Sequence, residues 1–189
     1  MAWGGKLGLN LSGSSYSPLP ANTSNDVRGG LGGGGFFRYR FSDRFSIQPE
    51  LLLMMKGLEL KSNSGGVRTE EEIRMNYLEI PVLFRWTPGK ESSRFRLFAG
   101  PFLSFLLSAK DELEVQGGIF GPVAIKIETD VKDQTRDIDW GMAMGAGLDF
   151  ASGLLLEARY SHGFTDASKS STTIRHRVAS LLIGWAFSL

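Results

Sequence analysis

The feature that most constrains this chain is a two-residue period in its apolar side chains. The segment IDWGMAMGAGLDF (138–150) alternates large apolar residues with small or acidic ones. One face would carry Ile138, Trp140, Met142, Met144, Ala146, Leu148 and Phe150. Because an extended strand points successive side chains to opposite faces, this segment is predicted to be a β-strand. Segments 154–162 and 177–189 repeat the pattern.

The same period predicts an all-β chain with eight strands and no helix. The predicted strands are 3–13, 29–41, 45–60, 71–87, 94–111, 135–150, 154–166 and 175–188. Their connections alternate between short turns and longer polar loops. The 189 residues contain no linker or break in composition, so one domain over 1–189 is predicted. An even number of antiparallel strands can close into an up-and-down barrel, which removes both sheet edges.

Composition excludes several classes of function. The 21 basic and 20 acidic residues nearly cancel, so no global field would recruit nucleic acid. Cysteine is absent, and no stretch reaches the ~20 apolar residues of a transmembrane helix. The N-terminal segment alternates instead of running apolar, unlike a secretory signal, so an exported form is expected to be the mature chain.

Residues 30–35, GLGGGG, formally match the G-x-G-x-x-G fingerprint of dinucleotide-binding folds. That fingerprint binds phosphate only where it opens a helix, and the residues that follow it here, FFRYRF, alternate. No cofactor and no metal is therefore predicted. Gly30, Gly32 and Gly34 are expected on the inner wall of the barrel, where they leave room for neighbouring arginine and aromatic groups and permit tight coiling.

Two kinds of barrel fit the alternation. A soluble barrel would turn its apolar face inward around a ligand, whereas an outer-membrane barrel turns it outward to lipid. Long strands, a polar parity rich in small residues and aromatics beside the short turns favour the membrane barrel. The lipid bilayer of a bacterial outer membrane is then the expected environment. The predicted aromatic girdle consists of Phe41, Phe45, Trp86, Phe95, Phe150, Trp185 and Phe187.

Charged residues recur on the inward parity of the predicted strands. Unpaired charges at membrane depth would cost several kcal/mol each, so an Arg–Glu network that plugs the lumen is expected. An ion or proton path is the functional alternative, although eight strands enclose little space. The predicted network is Arg38, Arg40, Glu50, Glu79, Arg85, Arg96, Glu157 and Arg159, with Gln48, Lys56 and Asp149 on the same parity.

A lipid-modifying hydrolase is a further alternative, because Ser161 and His162 are adjacent in RYSHGF (159–164). Neighbours on a strand point to opposite faces, so these two side chains should not meet. His176 lies near the outer end of the last predicted strand, too loosely placed to define a triad. No catalytic residue is predicted.

The polar segments 70–72 and 112–134 are where an ion or protein partner could bind, although most charge runs are simply solvated. Val123, Ile125 and Ile127 alternate with polar or small residues, which predicts a hairpin beyond the membrane. An exposed hairpin edge can add a partner's strand. Three prolines at 49, 81 and 101 fall inside predicted strands, where bulges or misplaced boundaries are expected.

Three segments carry a family likeness. NYLEIPVLFRW (76–86), RLFAGPFLSFLLSAK (96–110) and the stretch 145–166 resemble the outer-membrane β-barrel family of Bacteroidota that includes PorT-like proteins. His162 stands where that family has Tyr, and Leu189 replaces a terminal aromatic, while Phe187 keeps the outward parity. The resemblance implies an OmpA/OmpX-type eight-stranded barrel with periplasmic termini and short periplasmic turns. PorT-like members are associated with type IX secretion machinery, whereas many members of the family have no assigned role. Together with the lack of a catalytic constellation, the resemblance predicts a small non-enzymatic structural or accessory protein that acts through its extracellular loops.

Overall fold

A computed structural model describes residues 1–17, 23–64, 67–88, 94–116, 124–130, 132, 136–165 and 173–188. Ten strands are present in these ranges. They are β1 Ala2–Ser17, β2 Thr23–Asp26, β3 Arg28–Arg40, β4 Phe45–Ser64, β5 Val67–Trp86, β6 Phe95–Gln116, β7 Ala124–Asp130, β8 Ile138–Asp149, β9 Leu154–Gly163 and β10 Thr173–Ser188. No helix in the described ranges is long and apolar enough to span a membrane.

Eight of the strands close into a barrel. The order around it is β4–β3–β1–β10–β9–β8–β6–β5, and β5 pairs back with β4. Every neighbouring pair is antiparallel. The predicted eight-stranded antiparallel barrel is confirmed. Residues 41–44 and 150–153 join strands at one end, where β5 also ends and β6 begins, and this is here called the short-turn end; the opposite end is the long-loop end.

Three strands extend well past the rest at the long-loop end. β4, β5 and β6 have 20, 20 and 22 residues, against 10 in β9 and 12 in β8. Their far ends, together with β2 and β7, form what we call the outer sheet, because β2 pairs with β4 and β7 with β6. The predicted hairpin is thus present as β6 and β7, although Val123 lies outside the described residues. Residues predicted as loop at 61–64 and 67–70 are strand instead.

The bulges expected at the three prolines do not occur. β4 and β5 keep one register on both sides of Pro49, with Pro49 opposite Val82 and Leu52 opposite Glu79. Pro81 and Pro101 also sit in unshifted ladders. The register shift between β5 and β6 lies between Asn76 and Tyr77, which are closer to the long-loop end than Pro81 is. A proline removes one donor from the ladder, and the neighbouring bonds hold the register.

The glycines of β3 have a different neighbour from the one predicted. A β-carbon at Gly30 would lie 2.5 Å from the carbonyl oxygen of Met55, and one at Gly34 would collide with that of Leu51. At Gly32 it would meet the side chains of Met54 and Asn10. The space is taken by close approach of β4 and by these two side chains, not by arginine or aromatic groups.

Inward phenylalanines elsewhere do pack over glycines on the adjacent strand. Phe36 faces Gly4, Phe98 faces Gly145 and Phe102 faces Gly141 across the ladder. A β-carbon on any of these glycines would come within 2.7 Å of the ring. Alternating large and small residues across strands therefore fills a narrow interior.

Candidate functional site

Four ionised side chains meet in the middle of the barrel. Lys6 Nζ donates to Glu50 Oε1 at 2.7 Å and to Glu157 Oε2 at 2.9 Å. Arg159 Nη2 donates to Glu50 Oε2 at 2.8 Å and also bonds Glu157. All four residues are at most 8% exposed. Two cations and two carboxylates balance, so this central cluster holds no net charge.

A second cluster lies toward the short-turn end and joins the first through Gln48. Gln48 Nε2 donates to Glu50 at 2.6 Å, and its Oε1 accepts from Arg38 and Arg85, both at 2.7 Å. The two arginines also reach Asp149, at 2.8 and 2.9 Å. A continuous hydrogen-bonded chain therefore runs from the barrel mouth to its centre.

The third cluster lies toward the long-loop end. Lys56 Nζ donates to Glu79 Oε2 at 2.5 Å, and Ser104 Oγ donates to the same oxygen at 3.1 Å. The Lys56 ammonium lies 5.1 Å from the ring centroids of both Tyr77 and Phe102. Glu79 therefore pairs with Lys56 and makes no hydrogen bond to the central cluster, so the single predicted network is divided.

Apolar side chains fill the space beside the charged clusters. Leu83, Phe98, Phe102 and Ala143 form one buried group. Near the long-loop end, Met75, Tyr77, Leu106 and Ala109 form another. The inner face is thus a packed mixture, whereas the sequence pattern indicated a polar one.

The outward parity presents large apolar side chains without cover. Those of β1, β8 and β10 are typical, with Leu9 63%, Trp140 56% and Leu181 67% exposed. Ions are inside and hydrocarbon is outside, which inverts the arrangement of a soluble barrel.

Aromatic rings gather on the outer face near the short-turn end. Phe45 stacks on Phe41 with centroids 6.4 Å apart, and Trp3 lies 4.9 Å from Phe187. The predicted girdle residues Phe41, Trp86, Phe95, Trp185 and Phe187 are all 40–52% exposed. Phe150 is the exception, because it lines the barrel mouth beneath the guanidinium of Arg94, 5.5 Å away.

A second aromatic group, which the sequence pattern did not single out, lies near the long-loop end. Trp140 and Phe164 meet edge to face at 5.1 Å, and His162 lies 5.5 Å from Phe164 and 6.5 Å from Tyr160. The outer face therefore carries an aromatic group toward each end of the barrel.

The comparison with protein families decides between the two kinds of barrel. The family described as "Outer membrane protein beta-barrel domain" matches residues 1–169. The chain belongs to this outer-membrane barrel family. Its exposed apolar face is therefore the surface that meets lipid, in the bacterial outer membrane. The soluble ligand-binding barrel is excluded.

Solved structures agree with the outer-membrane barrel fold. Ail, the attachment invasion locus protein of Yersinia pestis, aligns with a TM-score of 0.52 at 12% identity, covering 98% of both chains. Neisserial surface protein A aligns with a TM-score of 0.55 at 12% identity, covering 99% of both. At such identities the likeness shows the OmpA/OmpX-type fold alone. No curated protein matches the sequence.

The histidine and serine candidates do not form a site in this outer-membrane barrel. Ser161 is 2% exposed and points into the lumen, while His162 lies on the outer parity among aromatic rings. The opposite orientation predicted for them is confirmed. The side chain of His176 lies outside the described residues. Among the described residues no three acidic or histidine side chains group as a metal site requires.

Other predicted residues are placed at the two ends of the lumen. Arg40 is exposed at the mouth, and Arg96 Nε lies 3.5 Å from Asp149. In the outer sheet, Glu72 pairs with Arg28 at 2.6 Å and with Arg74 at 2.7 Å, and Arg74 also reaches Glu112 at 2.9 Å. The side chains of Glu70 and Glu71 lie outside the described residues.

Lys6 is the most important lumen residue that the sequence reasoning missed. Its even number places it with Gly4, Gly8 and Asn10, opposite the apolar set Trp3, Leu7, Leu9 and Leu11. This alternation indicates that the side chain of Lys6 points into the lumen. Asp139, which is 2% exposed, also lies on the inner parity of a strand whose alternation was recognised.

Proposed function

We propose that this protein is a non-enzymatic structural or accessory barrel that acts through its outer sheet while its lumen stays sealed. The observation that carries the proposal is the filled interior. Three ion-paired clusters and two apolar groups occupy the lumen, which favours a plug over a path for ions. The outer sheet rises from this rigid base, and surface elements on a rigid scaffold commonly carry function.

The short-turn end faces the periplasm in this proposal, as in barrels with short periplasmic turns and longer extracellular loops. The outer sheet then stands outside the cell. In the described residues β7 pairs along one side, with β6, so its other edge offers free backbone donors and acceptors. A protein partner at 112–134 would add a strand to that edge.

The experiment that tests partner binding is deletion of 115–131, followed by co-purification from native membranes. Loss of a co-purifying protein supports the proposal, whereas an unchanged set of partners contradicts it. A deletion of 167–171, in the segment that connects β9 to β10, is the control. Retention of heat-modifiable migration in both variants shows that the barrels have folded.

Sealing is tested by electrical recording in a planar lipid bilayer. A plugged lumen predicts no stepwise conductance from the intact barrel, with a large porin as the positive control. Steady cation-selective channels would instead favour the ion-path alternative, which uses the same charged residues.

The finer assignment is to the PorT-like group of Bacteroidota. The segments 76–86, 96–110 and 145–166 support it, and the four strands that they fall on, β5, β6, β8 and β9, belong to the barrel wall. The expected partner would then be a component of secretion machinery. Identification of the co-purified protein by mass spectrometry tests this assignment separately from sealing.

A further inference from the structure

The barrel mouth at the short-turn end contains a cavity of about 660 Å³. Among the described residues, five charged side chains line it: Arg38, Arg40, Arg94, Arg96 and Asp149. Four guanidinium groups against one carboxylate give these described side chains a formal charge of +3. A cavity of this size falls within the ~300–1,000 Å³ range of small-molecule sites.

Arg38, which lines this cavity, has one donor that is not used by the protein. The residue is 8% exposed, with Nε bonded to Gln48 at 2.7 Å and Nη1 bonded to Asp149 at 2.8 Å. Its Nη2 is buried and has no hydrogen-bond partner. A buried donor left unsatisfied costs about 1–3 kcal/mol, so an acceptor at this position would be stabilising.

Asp149 has little further capacity to neutralise the mouth. Arg85 Nη2 lies 2.9 Å from its Oδ1, while Arg38 Nη1 and Arg96 Nε lie 2.8 and 3.5 Å from its Oδ2. One carboxylate is therefore shared among three guanidinium groups. Arg40 is exposed at the rim, and Arg94 is held over the ring of Phe150.

We propose that this mouth binds a phosphate monoester. Such a group carries about −1.5 to −2 charges and three acceptor oxygens near pH 7, which offsets most of the local positive charge. Guanidinium groups match phosphate oxygens in paired hydrogen bonds. A carboxylate brings one charge and two oxygens, so it satisfies the arginines less completely. The site is independent of any partner at the outer sheet.

The ester is either a soluble metabolite-sized molecule or the headgroup of a lipid. Two probes carry the same chemistry in these two forms: glycerol 3-phosphate in solution, and phosphatidic acid in nanodiscs. Binding of the first places the source in solution, while retention of the second alone places it in the membrane. Either result supports the phosphate site, and failure of both overturns it.

The decisive comparison uses the double variant R40Q/R94Q. Both arginines lie outside the three lumen clusters, so the barrel should fold normally. We expect glycerol 3-phosphate to bind this variant at least about tenfold more weakly than it binds wild type, because the loss of one charged hydrogen bond lowers affinity by about that factor. R44Q, in the exposed turn but outside the cavity lining, should bind within about twofold of wild type. Calorimetry in phosphate-free zwitterionic micelles measures both.

Two further readouts keep the test decisive. Acetate should bind at least about tenfold more weakly than glycerol 3-phosphate, and equal affinity would contradict a phosphate site. The Nη resonances of Arg38 should shift on titration with glycerol 3-phosphate. The variants and the Arg38 resonances are compared with whichever of the two phosphate probes the wild type binds. Equal binding of that probe by R40Q/R94Q and R44Q, with no shift at Arg38, would overturn the proposal whether or not the outer sheet binds a partner.

Discussion

At the scale of single residues, charge balance decides what the lumen tolerates. Lys6 and Arg159 face Glu50 and Glu157 within 2.9 Å, out of contact with water. Ions buried in this way are costly unless each has partners, so removal of one leaves the others uncompensated. The cluster therefore behaves as a unit.

Replacing Lys6 by Met is expected to destabilise the folded barrel by about 3–5 kcal/mol, because two carboxylates would then share Arg159 alone. Urea unfolding in detergent micelles, followed by tryptophan fluorescence, measures the change. R44Q alters an exposed turn and should lie within about 0.5 kcal/mol of wild type.

The double variant K6M/E157Q tests whether charge balance is the cause. It restores a neutral cluster, so it should be more stable than K6M alone. If the two substitutions simply add, the loss of Lys6 acts through packing and the electrostatic account is wrong.

Close approach of neighbouring strands limits the size of the side chain that fits at some glycine positions. A β-carbon at Gly145 would collide with the carbonyl oxygen of Ala158 and lie 2.5 Å from Phe98 Cζ, whereas one at Gly29 would meet nothing within 4 Å. We expect G145A to cost about 1–3 kcal/mol by overpacking, and G29A to be near neutral. The same unfolding assay checks both, and equal stabilities would refute the argument from close approach at Gly145.

At the scale of elements, the outer sheet is held by a ladder of alternating charges. Arg28, Glu72, Arg74 and Glu112 connect β3, β5 and β6 through ion pairs of 2.6–2.9 Å. Glu72 lies beyond the ~9–11 residues that β5 needs to cross a bilayer. Hydrogen bonds from Arg74 and then Arg28 lower its pKa to about 2.

This shift makes the outer sheet acid-sensitive. A lowered pKa contributes stability above the ordinary value of 4.5, and the contribution is lost as pH falls toward 2. E72Q should therefore be less stable than wild type at pH 6, by under about 1 kcal/mol for a partly exposed pair, and equal to it near pH 2. Hydrogen exchange of the β5–β6 amides across this range measures the difference; a constant gap would contradict the assignment.

The alternation of apolar and polar residues predicted the strands of the barrel wall well, but it predicted their extensions into the outer sheet poorly. β8 and β9 were recognised nearly to their limits, since lipid on one side and lumen on the other impose a strict period. At 61–64 and 67–70 both faces of the sheet can be polar, so no period distinguishes strand from loop. Pairing with β6 and β2 makes those residues extended.

At the scale of the whole molecule, lipid acts as the solvent for the outer surface. The four tryptophans are each 40–56% exposed on that surface. Such rings favour the membrane–water interface, where an apolar body meets a polar edge. We propose that they belong to girdles at the two membrane surfaces.

Brominated lipids test this placement directly. Bromine near the glycerol end of the acyl chain should quench Trp86 and Trp140, each in a single-tryptophan variant, more strongly than bromine at the bilayer centre. Unbrominated lipid of the same chain length is the control. Strongest quenching by bromine at the bilayer centre would place both rings in the middle of the membrane and contradict their assignment to the girdles.

The sequence by itself determined the strand period and the all-β fold, because both follow from which neighbours a side chain can have along one strand. It favoured the inverted polarity without deciding it, since parity alone does not say which face of a barrel points inward. The same alternation placed most of the inward charges on one face of their strands. Only the tertiary structure decided that Glu79 pairs with Lys56, that Lys6 completes the central cluster, and that Arg38 keeps a free donor at the mouth. Those partners lie on different strands, and register, closure and coiling, which no single strand encodes, bring them together.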